Sequence, residues 1–199
     1  MAGLAGCDTP SGTLIEMPWN QVAPRTPRNQ VQPRSPITGA AAWDSVQGAR
    51  PWRYIVIHHS ASERGNAASI DVAHRARGWD ELGYHFVIDN GSGGADGQVE
   101  VGHRWQIQKW GAHTGGTPDN AYNKYGIGIC LVGNMSNHYP SARQIASLER
   151  LVSYLVAKYN ISPQNIIGHR DAPNAKTECP GNTLHSYIWR TLRPSLARR

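Results

Sequence analysis

The chain has 199 residues, of which 39% are hydrophobic and 17% charged, and its formal net charge is +6. This composition is typical of a globular domain, and the length suits one domain plus an extension. Three cysteines, an odd number, argue against a disulfide framework, and no apolar run reaches the ~18 residues of a membrane-spanning helix. The basic residues are mostly scattered arginines, not a patch with interleaved aromatic residues, so we expect no nucleic-acid partner.

Residues 1–48 hold six of the thirteen prolines and follow no helical or strand period. We therefore expect an extended, Pro-rich tether or strap at 1–48 and one folded domain at 49–199. Within the first segment, Leu4-Ala5-Gly6-Cys7 resembles the bacterial lipobox, which predicts lipidation of Cys7 and membrane anchoring. No charged region and no apolar core precede this match, so a coincidental match stays open as the alternative.

The first half of the domain alternates between predicted strands and one helix. The β-branched run RYIVIH predicts a buried strand, and Gly78 ends a predicted helix. A hairpin follows around the turn NGSGGADG, and a further short strand is predicted after it. The predicted strands are 53–58, 84–89, 98–101 and 105–110, and the helix is 67–78.

The second half contains the clearest helix. GIGICLVG at 126–133 predicts a central strand with close backbone packing at its glycines. Ser141 and Gln144 form a capping box before an apolar stripe, which predicts a helix over 141–159. An edge strand at 165–168 and a last helix capped by Thr183 and ending near Leu192 complete the pattern. The order predicts an α/β fold, with a mixed central sheet flanked by helices.

Three polar residues lie where metal ligands are expected. His58 and His169 each end a predicted strand, and Cys179 lies in a loop that Pro180 and Gly181 follow. Two imidazoles and one thiolate form a known zinc set, which leaves a fourth position for water at a catalytic site. Strand alternation directs His59 away from His58. From spacing alone, a buried thiol at Cys179 and a packing role for His169 stay open.

Six sequence blocks in order resemble the zinc N-acetylmuramoyl-L-alanine amidases, which include the peptidoglycan recognition proteins and the amidase-type phage lysozymes. They span about residues 53–191 and read IVIHHSAS, GYHFVID, DGQVEVG, GAHTGG, GIGICLVGN and GHRDAPNAKTECPG. The resemblance implies hydrolysis of the amide between N-acetylmuramic acid and L-alanine by a zinc-activated water. A non-catalytic peptidoglycan-binding module is the alternative, although such modules typically lack the cysteine ligand that this chain keeps.

The resemblance also assigns residues. It implies that Zn²⁺ is held by His58, His169 and Cys179, that Tyr84 hydrogen-bonds the water or the substrate carbonyl, and that His113 lines the substrate groove. Either Thr177 or Lys176 is expected to stabilise the oxyanion. Trp110 is a candidate for stacking on the substrate, with core packing as the alternative for it and for Trp105.

Cys130 replaces the glutamate that some amidases have at this position, so proton transfer is expected to fall to Tyr84 and solvent. We expect Cys130 to pack in the core. The implied partners are peptidoglycan and muropeptides, the implied location is the cell envelope (periplasm or outer membrane) or outside the cell, and the chain is expected to be a monomer.

Overall fold

A five-stranded mixed sheet lies at the centre of the computed structural model, which describes residues 43–44, 48 and 50–198. The strands are β1 (Tyr54–His59), β2 (Phe86–Ile88), β3 (Val99–Val101), β4 (Gly126–Leu131) and β5 (Ile166–Gly168). Their order across the sheet is β3-β2-β4-β1-β5. Only the β2–β3 pair is antiparallel, so the predicted mixed sheet and its hairpin are confirmed.

Six α-helices surround the sheet in the described part of the chain. They are α1 (Ala67–Ala76), α2 (His103–Gln106), α3 (Ala121–Lys124), α4 (Ala142–Tyr159), α5 (Asn182–Tyr187) and α6 (Arg193–Ala197). A π-helical turn at Ile188–Leu192 joins α5 to α6. Among the residues that the structure describes, no helix combines the length and apolar character needed to cross a membrane.

The capping box predicted at the start of α4 is present. The Ser141 side chain accepts a hydrogen bond from the Gln144 N–H at 3.0 Å, and the Gln144 side chain accepts one from the Ser141 N–H at 3.2 Å. Both bonds satisfy N–H groups that a helix leaves without internal partners. The helix then buries Leu148, Val152 and Leu155 against the sheet.

The two faces of the sheet have different partners. In β1, Ile55 and Ile57 point into the main core, which α4 and the C-terminal helices cover. Strand alternation places Val56 and His58 on the other face. The second face packs partly against α1 and partly against α3 and the segment that follows β5. The polar residues of interest therefore lie on the less apolar side of the sheet.

One predicted strand and one predicted helix cap are wrong. Residues 105–110 form no strand: the Gly102 N–H donates to the His85 carbonyl at 2.8 Å, and the chain then turns into α2, which buries Trp105 completely. Thr183 does not cap the last helix, because its hydroxyl lies 2.7 Å from the Met135 carbonyl oxygen. That helix begins after Gly181 and continues beyond Leu192 through α6.

The last described residues before the predicted domain boundary contact the domain. The Trp105 indole N–H donates to the Trp43 carbonyl at 2.7 Å, and the Tyr154 hydroxyl donates to the Asp44 carboxylate at 2.6 Å. Apart from Gly48, the remainder of the predicted tether, including the proposed lipidation site Cys7, lies outside the described residues.

Candidate metal centre

Two parallel strands bring the candidate histidine ligands together. His58 lies near the end of β1, and His169 follows β5 directly. Because β1 and β5 are parallel neighbours, with Ile57 paired to Gly168, their carboxyl ends lie at the same edge of the sheet. The imidazole centroids of His58 and His169 are 4.7 Å apart.

The loop that carries Cys179 is hydrogen-bonded to the segment that follows β5. The Arg170 N–H donates to the Cys179 carbonyl at 2.8 Å. A Cβ added to Gly168 would lie 2.6 Å from Cδ of Pro180, so this contact requires glycine. The loop can therefore approach β5 closely enough to place the thiol beside His58.

The three candidate ligands form one compact, buried group. Their ligand atoms all lie within 4.8 Å of one another, and Cys179 Sγ is 3.5 Å from His58 Nδ1. His169 and Cys179 are 3% and 4% exposed, and His58 is fully buried. Two nitrogen donors and one sulfur donor at this separation fit Zn²⁺, which prefers such ligands in tetrahedral sites.

Burial sets the charge of His58, the candidate histidine ligand on β1. Desolvation, with a smaller contribution from neighbouring His169, lowers the pKa of His58 well below its ordinary value of 6.5. The imidazole is therefore neutral near pH 7, and neutral imidazole is the form that binds a metal. By contrast, the His59 Nδ1 accepts from the Met135 N–H at 3.1 Å, which confirms that His59 points away from this group.

His113 lies behind the candidate ligands. It is 3% exposed, and its Nδ1 is 3.1 Å from Nε2 of His58. Its Nε2 is 3.3 Å from the Gly126 carbonyl oxygen in β4. Asn123 holds this loop, because its side-chain oxygen accepts from the backbone N–H groups of His113 and Thr114 at 2.8 and 2.9 Å. The structure thus places His113 against His58 in the interior.

Tyr84 also packs against His58. Its ring is 4% exposed, and its centroid is 5.0 Å from that of His58. The ring also contacts His74, with centroids 5.4 Å apart. His74 is itself buried and accepts from the Gly83 N–H at 3.0 Å. Tyr84 is therefore enclosed between two imidazoles, beside the candidate ligands.

The two candidate oxyanion donors differ in position. Thr177 is half-buried, and its hydroxyl oxygen accepts from the Cys179 N–H at 3.2 Å. Lys176 is exposed. Of the tryptophans, Trp105 is core, whereas Trp110 is 42% exposed, with the Lys124 ammonium 5.8 Å from its ring centroid. Cys130 is fully buried, as predicted.

The supporting role of Asn123 was not predicted from the sequence. A signal for this packing was present in the glycines of the central strand. A Cβ on Gly128 would lie 2.4 Å from the His113 ring, and one on Gly111 would lie 2.3 Å from it. Alternating glycines in an otherwise apolar strand indicate the close approach of another group, which here is an imidazole.

The fold and the site together define an α/β domain with a buried group of two histidines and one cysteine that could hold a metal ion, on one face of a mixed sheet. A family model described as N-acetylmuramoyl-L-alanine amidase matches residues 48–182. The chain belongs to this family.

Relatives and solved structures agree with this assignment. Peptidoglycan recognition protein 1 of Bos taurus is 33% identical over 148 residues, which cover 69% of this chain and 71% of the relative. The N-acetylmuramoyl-L-alanine amidase LysC from Clostridium intestinale URNW is 34% identical with a TM-score of 0.57, covering 67% of this chain and 78% of that one. A mutant Drosophila PGRP-LB in complex with tracheal cytotoxin is 28% identical with a TM-score of 0.55, covering 73% of this chain and 83% of its own.

Proposed function

We propose that this protein is a zinc-dependent N-acetylmuramoyl-L-alanine amidase, which hydrolyses the amide between N-acetylmuramic acid and the L-alanine of the stem peptide. The observation that carries the proposal is the buried His58, His169 and Cys179 set, whose ligand atoms lie within 4.8 Å of one another. A family that contains both amidases and recognition proteins supports the substrate class.

The ligand set suits hydrolysis of an amide. Bound Zn²⁺ supplies Lewis acidity, which acidifies water and polarises a carbonyl group. Two neutral imidazoles and one thiolate leave such a site with a net charge of +1, which favours an anionic transition state. Three protein ligands leave a tetrahedral position open, as catalytic rather than structural zinc sites do.

Tyr84 is proposed to donate the proton that the reaction requires. A phenol both donates and accepts hydrogen bonds, and this ring lies 5.0 Å from the His58 ring, between centroids. Its hydroxyl would bond the substrate carbonyl and supply the proton that the leaving amine needs. Cys130, which packs in the core, takes no part.

Thr177 is the better placed oxyanion donor of the two. Its oxygen already accepts from the Cys179 N–H at 3.2 Å, which directs its own hydroxyl hydrogen elsewhere. One well-placed donor stabilises the transition state by roughly 3 kcal/mol. Thr177→Val should therefore lower kcat by about 100-fold, whereas Lys176→Ala should change it little because that side chain is exposed. The reverse order would assign the role to Lys176.

The remaining assignments concern the path of the substrate, an extended glycopeptide, along the protein surface and the location of the enzyme. The exposed face of Trp110 is proposed to stack on the substrate beside the loop that contains His113. A peptidoglycan substrate places the enzyme in the cell envelope or outside the cell. Lipid anchoring through Cys7 and a monomeric state stay predictions.

The rival function is a recognition module that binds peptidoglycan without cleaving it. A matched pair of cysteine variants separates the two functions. Cys179→Ala should abolish both zinc binding and the release of stem peptide from purified peptidoglycan, whereas Cys130→Ala, which changes a buried core thiol, should retain both. Peptidoglycan binding with zinc present and no peptide release by the wild type would establish the recognition module instead.

A further inference from the structure

Two glycines create the space for a buried imidazole behind the candidate metal ligands. The ring of His113 packs so tightly against Gly111 and Gly128 that a Cβ at either glycine would lie within 2.4 Å of it. The ring is 3% exposed. Its nitrogen atoms therefore meet fixed partners, and those partners determine which nitrogen carries the proton.

The proton of His113 is fixed by a backbone carbonyl. Its Nε2 lies 3.3 Å from the oxygen of Gly126, which only accepts hydrogen bonds. A bare Nε2 there would set two lone pairs against each other, so Nε2 carries the hydrogen. In the neutral ring, Nδ1 is then the acceptor.

The tautomer of His58 follows from that of His113. The Nε2 of His58 lies 3.1 Å from the acceptor Nδ1 of His113, whose lone pair the Thr114 hydroxyl also approaches at 2.8 Å. A bare Nε2 on His58 would face that lone pair with its own, so Nε2 of His58 carries the hydrogen. The His58 proton then resides on Nε2, and its Nδ1 keeps a lone pair. That Nδ1 is the nitrogen that lies 3.5 Å from Sγ of Cys179.

We infer that His113 is a positioning residue, which holds the His58 imidazole as its Nε2–H tautomer with the Nδ1 lone pair directed into the ligand group. The inference rests on the proposed function only in taking His58 as a metal ligand. It gives His113 an internal role that differs from the groove-lining role predicted from the sequence. A partner on the second nitrogen of a metal-binding imidazole fixes the orientation of the ring and raises its basicity.

Thr114 provides the matched control. Its hydroxyl oxygen lies 2.8 Å from the same Nδ1 of His113, and the residue is fully buried. Thr114→Val removes this hydroxyl with little change of shape, but it leaves the bond between His58 and His113 in place. His113→Phe removes the acceptor, and His113→Asn restores an acceptor oxygen near the position of Nδ1.

The experiment has two measurements, and neither uses peptidoglycan. The first is the tautomer of His58, read from long-range ¹⁵N–¹H NMR spectra of the metal-free protein. The second is zinc affinity from competition with a chelator. We expect the Nε2–H tautomer of His58 in the wild type and in Thr114→Val, with equal zinc affinities. We expect loss of the single tautomer and about 10- to 100-fold weaker zinc binding in His113→Phe, with substantial recovery in His113→Asn.

A proton on Nδ1 of His58 in the wild type would overturn the inference, and so would a His113→Phe variant with unchanged tautomer and zinc affinity. If His113→Phe does not fold, the wild-type tautomer and the His113→Asn variant decide. A chain that has the expected tautomer and binds zinc but releases no stem peptide would refute the proposed enzyme alone. A wild type that binds no zinc leaves the NMR measurement as the deciding test.

Discussion

Replacing Gly128 with alanine tests the packing that supports the proposed metal ligands. The new Cβ would lie 2.4 Å from Cδ2 and 2.7 Å from Nε2 of His113. Carbon atoms in contact prefer about 3.5–4.0 Å, so the imidazole would have to move by roughly 1 Å. Starting from 3.1 Å, such a shift breaks the hydrogen bond to His58.

Two separate effects are expected from Gly128→Ala. Overpacking of a tight interior lowers the free energy of unfolding by about 1–3 kcal/mol, measured by urea denaturation. Loss of the partner of His58 weakens zinc binding by about 10- to 100-fold, measured by chelator competition. Gly48→Ala is the matched control, because a Cβ at that position meets no atom of the described residues within 4 Å. Equal stability and equal zinc affinity in the two variants would refute the packing argument.

Three further predictions concern separate parts of the molecule. Burial and the neighbouring Glu100 raise the pKa of Asp89 from 3.8 to about 8. The folded chain therefore holds a proton that the unfolded chain loses above about pH 3.9, so the free energy of unfolding should fall as the pH rises from about 4 to about 8. Asp89→Asn should reduce this fall, measured by urea denaturation at several pH values. An unchanged dependence of the unfolding free energy on pH would contradict the prediction. Ser141→Ala removes the hydrogen bond that the Gln144 N–H donates at 3.0 Å and should cost about 1 kcal/mol of unfolding free energy, whereas an equal denaturation midpoint would show that the cap is unimportant. Tyr84→Phe should lower kcat on peptidoglycan while zinc affinity stays unchanged, and undiminished turnover would remove the hydroxyl from the mechanism.

Local sequence signals predicted the elements whose residues share one clear period. The apolar run before His58 gave β1, and the capping box at Ser141 gave the start of α4, because both signals act within a few residues. The segment that contains Trp105 was assigned wrongly. Its turn depends on contacts with the hairpin and on burial in the core, neither of which a short pattern records.

The residues of the candidate site were likewise predictable only where a local signal marks them. His58 and His169 were predicted as ligands because each ends a strand, and parallel pairing of β1 with β5 brings the two strand ends together. The hydrogen bond between His58 and His113 joins residues 55 positions apart. It depends on how a loop packs against Gly128, so the sequence indicated a close approach at that glycine but not which group approaches it.

We propose that this chain cleaves the bond between glycan and stem peptide. The most direct test is mass spectrometry of the products released when the zinc-loaded protein acts on purified peptidoglycan. We predict free stem peptides with L-alanine at the amino terminus, and glycan strands of unchanged length. Fragments in which the peptide is still attached to muramic acid, or no release by protein that carries stoichiometric zinc, would contradict the claim.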